Sequence, residues 1–186
     1  MAIRLRIELL DVTCQDTEDL FVSDTFYMTA VLAVSDTTRS AVITDPIKMK
    51  AGQTHAFSAP DAIVFDGPVG DREAVIGGVK AYEEDFAKDW THKTRWAKEI
   101  LRGLPPFSAL PESLSAAANL ILTAAGTVLD LQAHSDRDDL LGCLPLVISM
   151  AGPLSEEERW VFKEEGLGLS TWDYTVRCLI TRSQIV

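Results

Sequence analysis

The sequence predicts a mainly β fold: an antiparallel β-sandwich of about eight strands, with a helical pair inserted at about residues 82–131. Three observations carry that prediction. Apolar residues alternate with polar ones at both ends of the chain, in Ile3–Leu9 and again in Trp172–Ile180. Several short β-rich runs separated by turn residues lie between them, rather than a regular exchange of strands and helices. Between residues 82 and 131 the apolar spacing changes to that of helices. No linker-like composition separates these parts, so all 186 residues are expected to form one domain.

Each element has its own local reason. In the first strand Ile3, Leu5, Ile7 and Leu9 face one way, and Arg4, Arg6 and Glu8 the other. A polar, carboxylate-rich loop is expected from Thr13 to Asp24. Phe26 to Val34 is apolar on both faces, as a central strand of a packed sheet would be. Ala41–Thr44 and Ile47–Lys50 are short strands, the first closed by Asp45-Pro46, and His55–Phe57 is a weaker one. Ala62–Phe65 is strand-like and ends in Asp66-Gly67-Pro68, a turn signal. Ala74–Lys80 follows, where Gly77-Gly78 suggests a bulge or a close backbone approach.

The first helix is placed at about 82–103, with Tyr82, Phe86, Trp90, Ala97, Ile100, Leu101 and Leu104 on its apolar stripe. The loop Gly103–Pro111, with Pro105, Pro106 and Pro111, stops it, and Pro111 then suits the first turn of the next helix. A second helix at about 111–131 is apolar over much of its surface and therefore the more buried of the two. Strand structure resumes at Leu140, with Pro145 placing that strand at an edge or a bulge. Ser155 to Glu158 fits a capping box opening a helical turn, although a strand through Trp160 and Phe162 fits equally well. The four tryptophans, Trp90, Trp96, Trp160 and Trp172, are expected to pack between elements.

Charge narrows the function classes. With 28 acidic and 17 basic residues the net charge is -11, which opposes a phosphate backbone, and the scattered basic residues form no patch, so no nucleic-acid partner is expected. Cys14, Cys143 and Cys178 are odd in number and far apart, so reduced thiols in a cytoplasmic setting are expected. Met1–Asp11 lacks the apolar core of a signal peptide. The longest uncharged stretch, Ser113–Leu129, is short and too polar to span a bilayer alone.

No enzyme signature stands out: no nucleophile elbow, phosphate-binding glycine loop, H-E-x-x-H or C-x-x-C. His55, His92 and His134 are expected at the surface, and carboxylates near Cys14 disfavour its thiolate. The remaining chemistry is acid in loops: Asp16, Glu18, Asp19 and Asp24; then Asp66, Asp71 and Glu73; then Asp136, Asp138 and Asp139. Such side chains commonly serve turns, but calcium needs six to eight oxygens, which loops at one end of a sandwich can supply.

Ser23-Asp24-Thr25-Phe26-Tyr27 and Asp136-Arg137-Asp138-Asp139-Leu140-Leu141-Gly142 resemble two loop motifs of the C2-type domains. These are eight-stranded sandwiches, many of which bind lipid under calcium control. Thr25 stands where that family's first motif has proline, and the paired Asp-x-Asp opening of the later loop is missing. The Asp-Asp-Leu-Leu-Gly run and the Trp-Asp-Tyr-Thr-Val ending also look like a group of bacterial proteins to which no activity attaches.

The resemblance implies a non-catalytic interaction module that docks a partner protein or a membrane surface through its acidic loops. Calcium would assist, held by Glu18, Asp24, Asp136, Asp138 and Asp139. Two other classes remain open: an effector or toxin component whose apolar helix inserts into membranes, and a metal-dependent enzyme. Acidic loops that converge within metal-bridging reach at one end of the sandwich would favour the calcium-assisted module or a metal enzyme, and scattered ones only docking to a protein.

Overall fold

A computed structural model of the chain describes residues 2–17, 23–59, 61–84, 89–132, 138–164 and 171–185. Its strands are β1 (Ala2–Asp16), β2 (Asp24–Ala33), β3 (Arg39–Ile43), β4 (Ile47–Met49), β5 (Thr54–Ala56), β6 (Ile63–Gly70), β7 (Ala74–Glu83), β8 (Asp139–Ser149), β9 (Ser155–Glu164) and β10 (Trp172–Gln184). Two helices, α1 (Lys93–Gly103) and α2 (Leu114–Gln132), lie between β7 and β8. One sheet has the order β5-β1-β10-β9, with β6 also pairing β1; the other has β3-β2-β7-β8, with β4 also pairing β2. Every pairing is antiparallel. The protein is a two-sheet β-sandwich with a helical pair inserted, as its patterning predicts.

Two apolar layers follow from the alternation of side chains. Leu5, Ile7, Phe26, Met28, Leu32, Trp160, Phe162, Tyr174, Val176 and Ile180 fill the space between the sheets. The opposite row of β2, Tyr27, Val31 and Ala33, meets Ile100 of α1 and Ala117, Ala118, Ile121 and Ala125 of α2. β2 is therefore buried on both faces because one face meets the other sheet and the other meets the helices. Gly77 lets β7 lie close against β2 within the same sheet: at φ 144° a Cβ there would lie 2.0 Å from the Val31 carbonyl oxygen. The tryptophans serve packing, with Trp160 between the sheets and Trp90 and Trp96 beside the helices.

Several boundaries differ from the sequence reading, and each difference has a local cause. β1 runs on to Asp16 because its register slips between Leu9 and Asp11. The slip reverses the alternation, so Val12 points inward, and so does Cys14 in a segment that reads as loop from Thr13 on. Asp66-Gly67-Pro68 lies within β6, not in a turn. β6 pairs β1 at the sheet's edge, where proline's missing N–H is tolerated. The turn comes at Gly70–Glu73, where the Glu73 carboxylate accepts the Gly70 N–H at 2.8 Å.

Tyr82 and Glu83 end β7 rather than opening a helix. A short 3-10 turn, Trp90–His92, precedes α1 and is capped by the Asp89 side chain. α2 begins at Leu114, three residues after Pro111, so that proline lies outside its first turn. Ser155–Glu158 joins β9, with Trp160 and Phe162 on its inward row, so the strand reading holds there and the helical turn does not.

Candidate functional site

Two tyrosine–aspartate pairs lie at one end of the sandwich. Asp24 opens β2 on the row that faces the other sheet and is 1% exposed. Its Oδ2 accepts a hydrogen bond from the Tyr174 hydroxyl at 2.7 Å, and the Tyr174 ring stacks on Phe26 at 5.0 Å. Burial, and donation to Asp24, push the Tyr174 hydroxyl's pKa above its ordinary value. The neighbouring Cys14 thiol is pushed up to about 11, chiefly by burial, with the charges of Asp24, Asp16 and Asp173 adding.

The second pair faces the helices. Tyr27 donates to Asp138, just ahead of β8, and its ring stacks on Tyr82 and meets the edge of Trp90. Burial and then the bond to Asp138 raise the Tyr27 pKa too. Glu84 accepts the Trp90 indole N–H at 2.8 Å, which ties the start of the helical insertion to this end. Asp139 opens β8 opposite Glu83 and is exposed. Asp16 accepts from Thr171 at 2.9 Å and faces Asp173 across the ladder.

The structure thus brings Asp24, Asp138 and Asp139 to the same end of one sheet. It does not bring them into one cluster: Asp24 is held on the inter-sheet face and Asp138 on the helix-facing side. Glu18 and Asp136 lie outside the described residues, as does Asp19. Among the described residues, no three His, Cys, Asp or Glu side chains gather as a metal ion requires. The other acidic group divides. Asp66 binds Arg4 at 2.7 and 3.0 Å, while Asp71 and Glu73 flank the turn into β7, the opposite end of that strand from Glu83.

The tyrosine partners are what sequence reasoning missed. A signal existed, because a buried tyrosine hydroxyl needs an acceptor, and Tyr27 and Tyr174 both sit on apolar rows. The histidines serve other settings: His55 sits in β5 opposite Val12, His92 lies 3.5 Å from Asp89, and His134 is outside the described residues. All three cysteines are free thiols, Cys14 and Cys178 buried and Cys143 exposed.

No protein-family model and no curated protein matches the chain. Solved structures do resemble it. One is human GIVD cytosolic phospholipase A2 in complex with methyl gamma-linolenyl fluorophosphonate, at 11% identity and a TM-score of 0.45. That likeness covers 100% of this chain and 17% of the phospholipase chain. Another is a C2 domain, at 12% identity and a TM-score of 0.40, covering 98% of this chain and 99% of that one.

Proposed function

We propose that the protein is a non-catalytic, C2-like interaction module that docks a partner protein or a membrane surface through its acidic end. The observation that carries this reading is the convergence of Asp16, Asp24, Glu83, Asp138, Asp139 and Asp173 on one end of the sandwich. Like charges gathered there repel one another, and a cation or a cationic partner surface relieves that repulsion. Paired strands hold all of them except Asp138, which the Tyr27 hydroxyl holds just ahead of β8, and such anchoring keeps a recognition surface in place.

Calcium assistance belongs to the same proposal, with Asp139 as the exposed ligand and Glu18, Asp24, Asp136 and Asp138 as the others. The geometry of the described residues sets a condition on it. Asp24 and Asp138 each give their Oδ2 to a tyrosine on opposite faces of the sheet, so they can share one ion only if one of them moves, and calcium binding must be weak or confined to the helix-facing side. Co-sedimentation with zwitterionic and anionic vesicles, with calcium and with a chelator, tests the membrane form. Calcium-dependent binding lost in Asp139→Asn supports it. Absence of binding to both vesicle types, with and without calcium, removes the membrane form and leaves docking to a protein.

A further inference from the structure

At the opposite end of β8 from Asp139, the free edges of the two sheets leave an open cavity of about 330 Å³. Its walls include Val147, Ile148 and Ala151 on one side and Glu156, Glu158 and Arg182 on the other. The inward row of β9 changes character here. Phe162 and Trp160 belong to the core, but the next two inward positions are Glu158 and Glu156. Carboxylates directed between two sheets break the apolar rule of the row that bears them.

Arg182 accounts for one of the two. Its side chain is 4% exposed, and its guanidinium donates to the Ser149 carbonyl at 3.1 Å and the Pro153 carbonyl at 2.7 Å. It pairs with Glu156 at 2.7 Å. The space it occupies depends on Gly152, where a Cβ would come within 2.7 Å of the guanidinium carbon. Glu158 is left with a long bond, 3.3 Å, from the Trp160 indole. One negative charge in the cavity is therefore not balanced by the arginine. Cys178, opposite Glu158 on β10, registers that field: its thiol is pushed up to about 12, by burial first and then by the charges of Glu158 and Glu156.

An apolar wall with a single net negative charge at its base suits a primary ammonium carried on an aliphatic stem. We propose that this cavity binds the lysine side chain of a partner peptide, with its stem against Val147 and Ala151 and its ammonium on Glu158. The peptide flanks would lie over exposed apolar residues close in sequence to the cavity, Val147 at 42% and Leu154 at 75% exposure. This site is separate from the acidic end and does not depend on calcium.

The test is a titration of the full chain with the blocked tripeptide Ala-Lys-Ala, followed by amide chemical shifts. The matched controls are a tripeptide with norleucine for lysine, and n-butylammonium. Saturable shifts at Ala151, Gly152 and Glu158, absent with norleucine, are expected. Glu158→Gln should weaken binding by about tenfold or more, as loss of a charge-assisted bond does. Glu164→Gln, exposed at the far end of β9, should leave it unchanged, and melting curves verify that both variants fold. No saturable shift, equal binding of the norleucine peptide, or wild-type affinity in Glu158→Gln would overturn the proposal. Tighter binding of n-butylammonium than of the lysine peptide would overturn a peptide source.

Discussion

Tyr174 and Tyr27 each end on a carboxylate, and this is the scale at which the fold's charge is easiest to test. Asp24 is 1% exposed, and its bond from Tyr174 offsets part of the cost of burying it. Replacing Tyr174 with phenylalanine should destabilise the fold by about 1–3 kcal/mol, since the ring stays and only the donor goes. Chemical denaturation of the variant measures this; a parental midpoint would mean that Asp24 does not rely on that hydroxyl. The buried thiols give a pH dependence. Cys14 and Cys178 have pKa values raised from 9.0 to about 11 and about 12, so folding favours their protonated forms. The stability they contribute is fully present below pH 9.0 and is lost as pH rises toward 12, because the unfolded chain gives up these protons first. Melting temperatures measured from neutral pH upward should therefore fall once pH passes 9.0, and less steeply in a Cys14→Ala, Cys178→Ala double variant.

The helical pair makes its own prediction at the scale of the element. From sequence, Leu120 and Leu122 of the apolar second helix are equally good core residues, and Asp at either is expected to destabilise the fold by several kcal/mol. The structure separates them, since Leu122 is 4% exposed beside β7 whereas Leu120 is 38% exposed. Leu122→Asp should cost roughly 3–5 kcal/mol, the scale of an uncompensated buried charge. Leu120→Asp should change stability little. Equal melting of both variants would mean that α2 does not pack as described. Gly77→Ala tests the sheet beneath, where the φ of 144° alone implies a cost of about 1–3 kcal/mol. Strand existence was legible where alternation was unbroken, in the first half of β1 and in β10, and where an apolar run was bounded by turn residues, as in β2 and β7. It was lost where a register slip reversed the alternation beyond Leu9, and where an edge position let Asp66-Gly67-Pro68 stay in a strand. Local patterns carry periodicity, but the partner strand that permits an exception is distant in sequence.

For the molecule as a whole, the acidic composition foretold an acidic surface but not its arrangement. Asp24, Asp138 and Asp139 were visible as candidates because turn-flanking aspartates precede apolar runs. The separation of Asp24 from Asp138 onto two faces was not visible, because it depends on which tyrosine each of those two meets, across the sandwich or beneath the helices. The same arrangement argues against insertion of α2 into lipid, since its apolar face is already occupied by β2 and β7. Among the described residues no helix is long and apolar enough to cross a membrane. Dye-filled vesicles, neutral or anionic, should stay sealed in the presence of the protein. Robust leakage without added partners would contradict this packing.

The measurement that bears most directly on the acidic end is a thermal melt with calcium, compared with magnesium and with a chelator. A ligand selective for the folded state raises the melting temperature by mass action, so even a weak site is detectable at concentrations above its dissociation constant. With Asp24 and Asp138 engaged by tyrosines, affinity should lie near the weak end of biological calcium sites, about 10⁻⁴ to 10⁻³ M. A calcium-specific rise at millimolar concentrations, abolished in Asp139→Asn, is expected. No shift with several millimolar calcium, or an equal shift with magnesium, would contradict it, leaving these aspartates as tyrosine partners and solvated strand ends.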